Sequence, residues 1–194
     1  MNYFNEDTFN QIKKGELKTS LDTEIWYNKT YSNYLRILES NKMEKGKIGF
    51  YGPDDFVLAA SFAFSWLARI PRLHYSSGVE FPFADAKLCA YFYNIDNGLF
   101  NSDLDLEIVN ELTVHLDNSI IAVSKMLHFL TPNYFPIIDS KVINTWNKWF
   151  PQYKLPKKVN VKQYLDYAQN MRDWSVKTGV SLRDLEKALF RFDL

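Results

Sequence analysis

The sequence predicts an all-α fold, and three observations carry that expectation. Apolar residues recur at mixed spacings of three and four along most of the chain. Helix-starting and helix-ending residues bracket those periodic stretches, and strand signals are nearly absent. The 194 residues are 46% hydrophobic, ample for a buried core, and suit one helical domain over residues 1–194. No internal repeat, low-complexity stretch or linker divides them.

The elements follow in order. Thr8 to Lys14 reads as a short helix, and Thr23 to Asn41 as a longer one that turns Ile25, Trp26, Tyr31, Tyr34, Leu35 and Leu38 inward. Gly46 to Gly52 is a loop or a short extended piece. Pro53-Asp54-Asp55 opens a helix running to Ala68 that is apolar nearly all round, the mark of a central element. Ile70-Pro71-Arg72 ends it, and Leu73 to Phe83, with Gly78 and Pro82, is a long connection of the kind that often carries function. Asp85 to Asn97 is helical and closed by Asn97-Gly98. Asp103 to Leu116, the tight turn Asp117-Asn118-Ser119 and Ile120 to Leu130 form two helices and a hairpin. Ser140 to Phe150 is followed by a basic, Pro-rich connection over residues 151–158. Asn160 caps a helix to Lys177 that Gly179 ends, and Ser181 caps Leu182 to Phe192.

Composition narrows the function classes. The single Cys89 has no internal disulfide partner, and no Cys and His cluster has metal-ligand spacing, so no metal or cofactor is expected and Cys89 reads as buried. The first residues show no basic region followed by an apolar one, and no stretch is apolar enough to span a bilayer, so a cytoplasmic protein without membrane partners is expected. Lys plus Arg and Asp plus Glu balance at 23 each. The balance is uneven along the chain, with 12 basic against 18 acidic residues up to Ser140 and 11 against 5 after it. That asymmetry permits an anionic partner opposite the basic segment; a solvated helical face explains it equally. No Walker-type Gly-rich loop, Gly-x-Ser-x-Gly elbow or His-Glu-x-x-His helix is present.

Residues 124–143 are the most informative stretch. An apolar helix ends at Thr131-Pro132, Phe135-Pro136-Ile137-Ile138 is held extended by its proline, and Asp139 stands where the next helix needs an N-cap. An Asp can cap and catalyse at once, because one oxygen remains available. Lys125 sits beside Val123, Met126 and Leu127, where it reads either as a surface lysine or as an amine reaching the same cavity. His128, three residues on, shares its face, as a buried histidine on a backbone carbonyl or as a group orienting Asp139 or a phosphate. Trp146, Trp149 and Trp174 read as core.

Two helices joined by a tight turn, then a loop ending in Asp at the next helix, resemble the catalytic half of the helix-hairpin-helix DNA glycosylases, in their 8-oxoguanine-glycosylase-like branch. The resemblance rests on Glu111 to Asp117, the hairpin Asp117-Asn118-Ser119, Ile120 to Leu130 and Phe135 to Ser140, within residues 105–150. It implies excision of a modified base from double-stranded DNA by base flipping, with a carboxylate stabilising positive charge on the sugar or activating water. Asp139 takes that role. Asn118 and Ser119 would meet a phosphate, although the Gly-x-Gly turn usual in the family has no glycine here. The family's lysine nucleophile begins the second helix, where this chain has Ile121; Lys125 would serve instead, forming a Schiff base.

Trp26, Trp66, Tyr75 and Phe83 are candidates for stacking on the flipped base. Lys141, Lys148, Lys154, Lys157, Lys158 and Lys162 could line the DNA path beside Asp139. Two other readings stand beside the glycosylase. One is a noncatalytic nucleic-acid-binding or protein-interaction helical domain. The other is an all-α small-molecule or hydrolytic enzyme with its pocket under the Leu73 to Phe83 connection.

Overall fold

The computed structural model describes residues 25–44, 53–67, 86–99 and 102–191, and within them the chain is all-helical. The eight helices are α1 (Ile25–Glu44), α2 (Pro53–Ser65), α3 (Ala86–Asp96), α4 (Ser102–His115), α5 (Ile120–Leu130), α6 (Ser140–Trp149), α7 (Val161–Thr178) and α8 (Leu182–Arg191). A 3-10 turn, Pro151–Tyr153, follows α6. The expected helix Thr8 to Lys14, the Gly46 to Gly52 loop and the Leu73 to Phe83 connection lie outside the described residues.

α5 is the central element, with ten of its eleven residues buried. Ala59, Ala60 and Ala63 on α2 are buried and small, so α2 packs closely along α5. α1 and α4 also pack on α5, while α7 lies on α4 and α8 joins α6 to α7. Phe56, Phe92, Phe129, Phe135 and Trp146 are almost fully buried in one continuous core. Each contributes roughly 1.5–3 kcal/mol by leaving water. Cys89 is buried, as the sequence suggests. Trp146 is likewise buried and stacks on half-buried Trp174 at 5.3 Å, the packing role expected of both.

The caps match local chemistry. Asn160 and Gln163 exchange side-chain and backbone hydrogen bonds in a capping box at the start of α7, and Gly179 ends that helix with φ 66°. α2 stops at Ser65, three residues before the expected Ala68, because the Trp66 and Leu67 amides turn back three residues, onto the Ala63 and Phe64 carbonyls. No helix of the described residues is long and apolar enough to cross a membrane.

Candidate functional site

The hairpin between α4 and α5 solves its geometry without glycine. Asp117 and Asn118 both take left-handed conformations, with φ of 58° and 51°, which short polar side chains tolerate better than most. Ser119 then caps α5, its hydroxyl accepting the Ala122 amide at 3.3 Å. The Ser119 amide donates to the Leu116 carbonyl at 3.0 Å, so this N–H is turned inward. Asp117 and Asn118 are exposed, and the Asp117 carboxylate adds a negative charge at the hairpin tip.

Thr131 ends α5 with its N–H on the Leu127 carbonyl, and after exposed Asn133 the chain runs buried from Tyr134 to Ile138 before reaching Asp139. A buried loop must find partners for its backbone polar groups. Side chains from three helices supply them here. From α7, Arg172 donates to the Tyr134 carbonyl at 2.9 Å, Tyr164 to the Pro136 carbonyl at 3.0 Å and Tyr167 to the Ile137 carbonyl at 3.2 Å. From α5, Ser124 accepts the Ile138 amide at 3.2 Å and His128 Nδ1 meets the Phe135 carbonyl at 2.8 Å. From α8, Glu186 accepts the Ile137 amide at 2.9 Å.

At the end of this segment Asp139 caps α6. Its Oδ1 accepts the Lys141 and Val142 amides at 2.9 and 3.0 Å. Its Oδ2 makes no hydrogen bond to a described residue, and the side chain is half-buried. Cap and accessible carboxylate thus coexist in one residue.

Lys125 is buried, at 8% exposure, rather than lying on a polar surface stripe. Nζ donates to the Trp66 carbonyl at 3.2 Å, at the end of α2. Burial lowers its pKa from the ordinary 10.5, while the Asp139 and Glu186 carboxylates oppose that shift. The amine and Asp139 therefore share one electrostatic environment. Trp66 belongs to it as well, half-buried and packed on Tyr31 at 5.8 Å and edge-on to Phe129 at 5.1 Å.

His128 is fully buried and neutral, its pKa lowered chiefly by desolvation. Its hydrogen bonds assign the tautomer. Nδ1–H donates to the Phe135 carbonyl, leaving Nε2 to accept from the Tyr31 hydroxyl at 2.8 Å. The sequence assigned no site role to Tyr31, Ser124, Arg183 or Glu186; Ser124 and Glu186 bond the segment before Asp139, Tyr31 bonds His128 and Arg183 bonds Glu186.

The other expected site residues divide clearly. Lys141, Lys148, Lys154, Lys157, Lys158 and Lys162 are all exposed. Lys141 lies over the Phe190 ring at 4.8 Å. The connection after α6 is pinned by Asn147, which bonds both the amide and the carbonyl of Leu155, and by Trp146 Nε1 on the Tyr153 carbonyl. Lys154, Lys157 and Lys158 are therefore presented from an anchored loop. Trp26 belongs to α1, with its side chain outside the described set; Tyr75 and Phe83 lie wholly outside it.

Among the described residues no group of His, Cys, Asp and Glu side chains could hold a metal ion. A cleft of about 560 Å3 between α4 and α7 is lined by Asp105, Tyr134, Lys162 and Arg172 among others; neither Lys125 nor Asp139 borders it. Asp105 there is buried and satisfied by the hydroxyls of Tyr91 and Tyr134 at 2.5 and 2.6 Å. Compared with protein-family models, curated proteins and solved structures, the chain matches none.

Proposed function

We propose that this chain is a DNA glycosylase that flips a modified or damaged base out of double-stranded DNA and cleaves its glycosidic bond. The observation that carries the reading is Asp139. One carboxylate oxygen is consumed in capping α6, the other makes no hydrogen bond to a described residue, and the carboxylate favours the charged form of the buried Lys125 amine. As the base departs with the bonding electron pair, the sugar carries positive charge that a fixed carboxylate stabilises. The same carboxylate accepts a proton from the attacking water when water completes the reaction.

Lys125 allows a second outcome. Desolvation favours its neutral form, which is the nucleophilic one. Addition of that nitrogen to the sugar carbon, with departure of the base, proton loss and ring opening, leaves an imine between enzyme and sugar. Trp66, half-buried at the end of α2 with its carbonyl accepting from Lys125 Nζ, is the candidate among the described residues for stacking on the flipped base. The exposed lysines from Lys141 to Lys162 are suited to the phosphates of the flanking duplex.

A noncatalytic binding module is the second reading, and one observation favours it. The hairpin carries an exposed carboxylate at Asp117 and turns the Ser119 amide inward, a poor arrangement for gripping phosphate. The two are separated by base release from duplexes bearing oxidised, alkylated, deaminated or hypermodified bases, with borohydride present to trap an imine. Release abolished by Asp139→Asn supports the glycosylase, and trapping lost in Lys125→Ala adds the lyase step. Salt-sensitive binding without release from any duplex makes the chain a binding module.

A further inference from the structure

Capping, bond cleavage and DNA binding do not account for the buried carboxylate closest in the hydrogen-bond network to Asp139, that of Glu186. Glu186 on α8 is 3% exposed, and its two oxygens are used separately. Oε2 accepts the Ile137 amide at 2.9 Å, and Oε1 holds the Arg183 guanidinium. His128 Nδ1 lies 3.4 Å from Oε2. A buried ion pair is a poor device for stability alone, because desolvation offsets most of its attraction and apolar replacements often do as well or better.

The backbone donor that Glu186 receives belongs to the residue two before Asp139. The rest of its surroundings form a closed ring. Arg183 lies over the Tyr31 ring at 4.3 Å, the Tyr31 hydroxyl meets His128 Nε2, and His128 returns to Glu186. α1, α5 and α8 are thereby tied to one peptide of the segment that carries the carboxylate.

We infer that Glu186 is a positioning residue for Asp139: it fixes the Ile137 amide, and through it the direction in which Asp139 Oδ2, the oxygen not used in the cap, points. The inference rests on Asp139 being the catalytic carboxylate. It also specifies the chemistry the position needs. Both partners are donors, an amide N–H and a guanidinium, so the side chain between them must be an acceptor at both ends. Glutamine has nearly the same shape and fails, since its NH2 must face either Ile137 or Arg183. Removing the guanidinium lets the glutamine oxygen turn to Ile137.

The test is base release by the full chain on the duplex that the native protein cleaves fastest, with amide hydrogen exchange at Ile137 measured in parallel. Glu186→Gln is expected to lower kcat by roughly 100-fold, the scale of a misplaced reacting group, with KM little changed and Ile137 exchanging faster. Glu186→Gln with Arg183→Met is expected to recover most of the kcat and of the Ile137 protection. Should the single variant not fold, Glu186→Asp replaces it, keeping the charge but falling one methylene short of Ile137. Native kcat and native Ile137 exchange in the single variant, a loss confined to KM, or a double variant no better than the single each overturn the positioning role. A native protein that releases no base overturns the reading of Asp139, a different failure from unaltered Ile137 exchange in an enzyme that turns over.

Discussion

The segment before Asp139 owes its shape to side-chain hydroxyls, and removing one oxygen atom measures how much. Tyr164 and Tyr167 are at most 1% exposed and donate to the Pro136 and Ile137 carbonyls at 3.0 and 3.2 Å. Tyr164→Phe keeps the ring, its packing against Phe135 and the shape of the core, while leaving a buried carbonyl without its donor. A stranded buried acceptor costs about 1–3 kcal/mol. In a chain of 194 residues each kcal/mol moves Tm by roughly 2–4 °C, so a fall of roughly 2–12 °C is expected. Tyr167→Phe is expected to act alike, and the pair to deviate from additivity because both bond one short segment. Exposed Tyr153 is the control, with Tyr153→Phe expected within about 0.5 kcal/mol of the parent. Urea denaturation with a constant m value reads these differences. Tyr164→Phe and Tyr167→Phe variants both indistinguishable from Tyr153→Phe would refute the claim that these hydroxyls hold the segment.

Three further outcomes are expected. Lys125→Met should leave stability unchanged or raised, where an average substitution loses about 1 kcal/mol, because it removes a buried amine that desolvation disfavours in its charged form; thermal denaturation decides, and clear destabilisation would make Lys125 a structural residue. Below pH 6.5 the unfolded chain protonates its exposed His128 while the folded chain, with that pKa lowered by burial, does not. Stability should therefore fall with decreasing pH through that window, by up to about 1.4 kcal/mol per pH unit from this group, and His128→Gln should flatten the slope in urea titrations. Lys157→Gln and Lys158→Gln should each weaken DNA binding evenly across sequences and reduce the slope of log affinity against log salt by about 1, as fluorescence anisotropy would record. An unchanged slope would return these lysines to ordinary solvated surface.

Legibility in the sequence tracked how local the determining physics was. The start of α6 at Asp139 and the ends of α7 at Asn160 and Gly179 depend on residues within one turn, and the sequence marks all three. The early end of α2 was less legible, because nothing local distinguishes Trp66 and Leu67 from the helical residues before them. Glu186 was invisible for a different reason. With Arg183 three residues earlier it has the pattern of a surface ion pair on an amphipathic helix, and its burial beside His128 and Ile137 comes from tertiary packing distant in sequence. Tyr31 meets His128 across 97 positions, a contact with no local signature. Lys125 is buried because α1, α2 and α4 all close on α5, a crowding that the apolar run around it hints at without saying whether the lysine escapes.

The other caps in the same chain show what capping by itself requires. Asn160 starts α7 with a reciprocal pair of hydrogen bonds to Gln163, both at residues outside the core, and its approach is held at Tyr153 and Leu155 by two side chains of a single helix, Trp146 and Asn147 of α6. Ser119 starts α5 with one hydroxyl after a two-residue left-handed turn. Asp139 performs the same local task, yet the five residues before it are buried and their carbonyls and amides are met by Arg172, Tyr164, Tyr167, Ser124, His128 and Glu186 from three helices. An exposed loop would have met those groups with water at no such expense in desolvated side chains. The apparatus exceeds what starting a helix demands, and what it adds is rigidity at a carboxylate with one oxygen unbonded among the described residues. Preorganisation of that kind gains nothing for an N-cap, whereas for a group that must meet developing charge in a transition state it removes reorganisation at the moment of reaction.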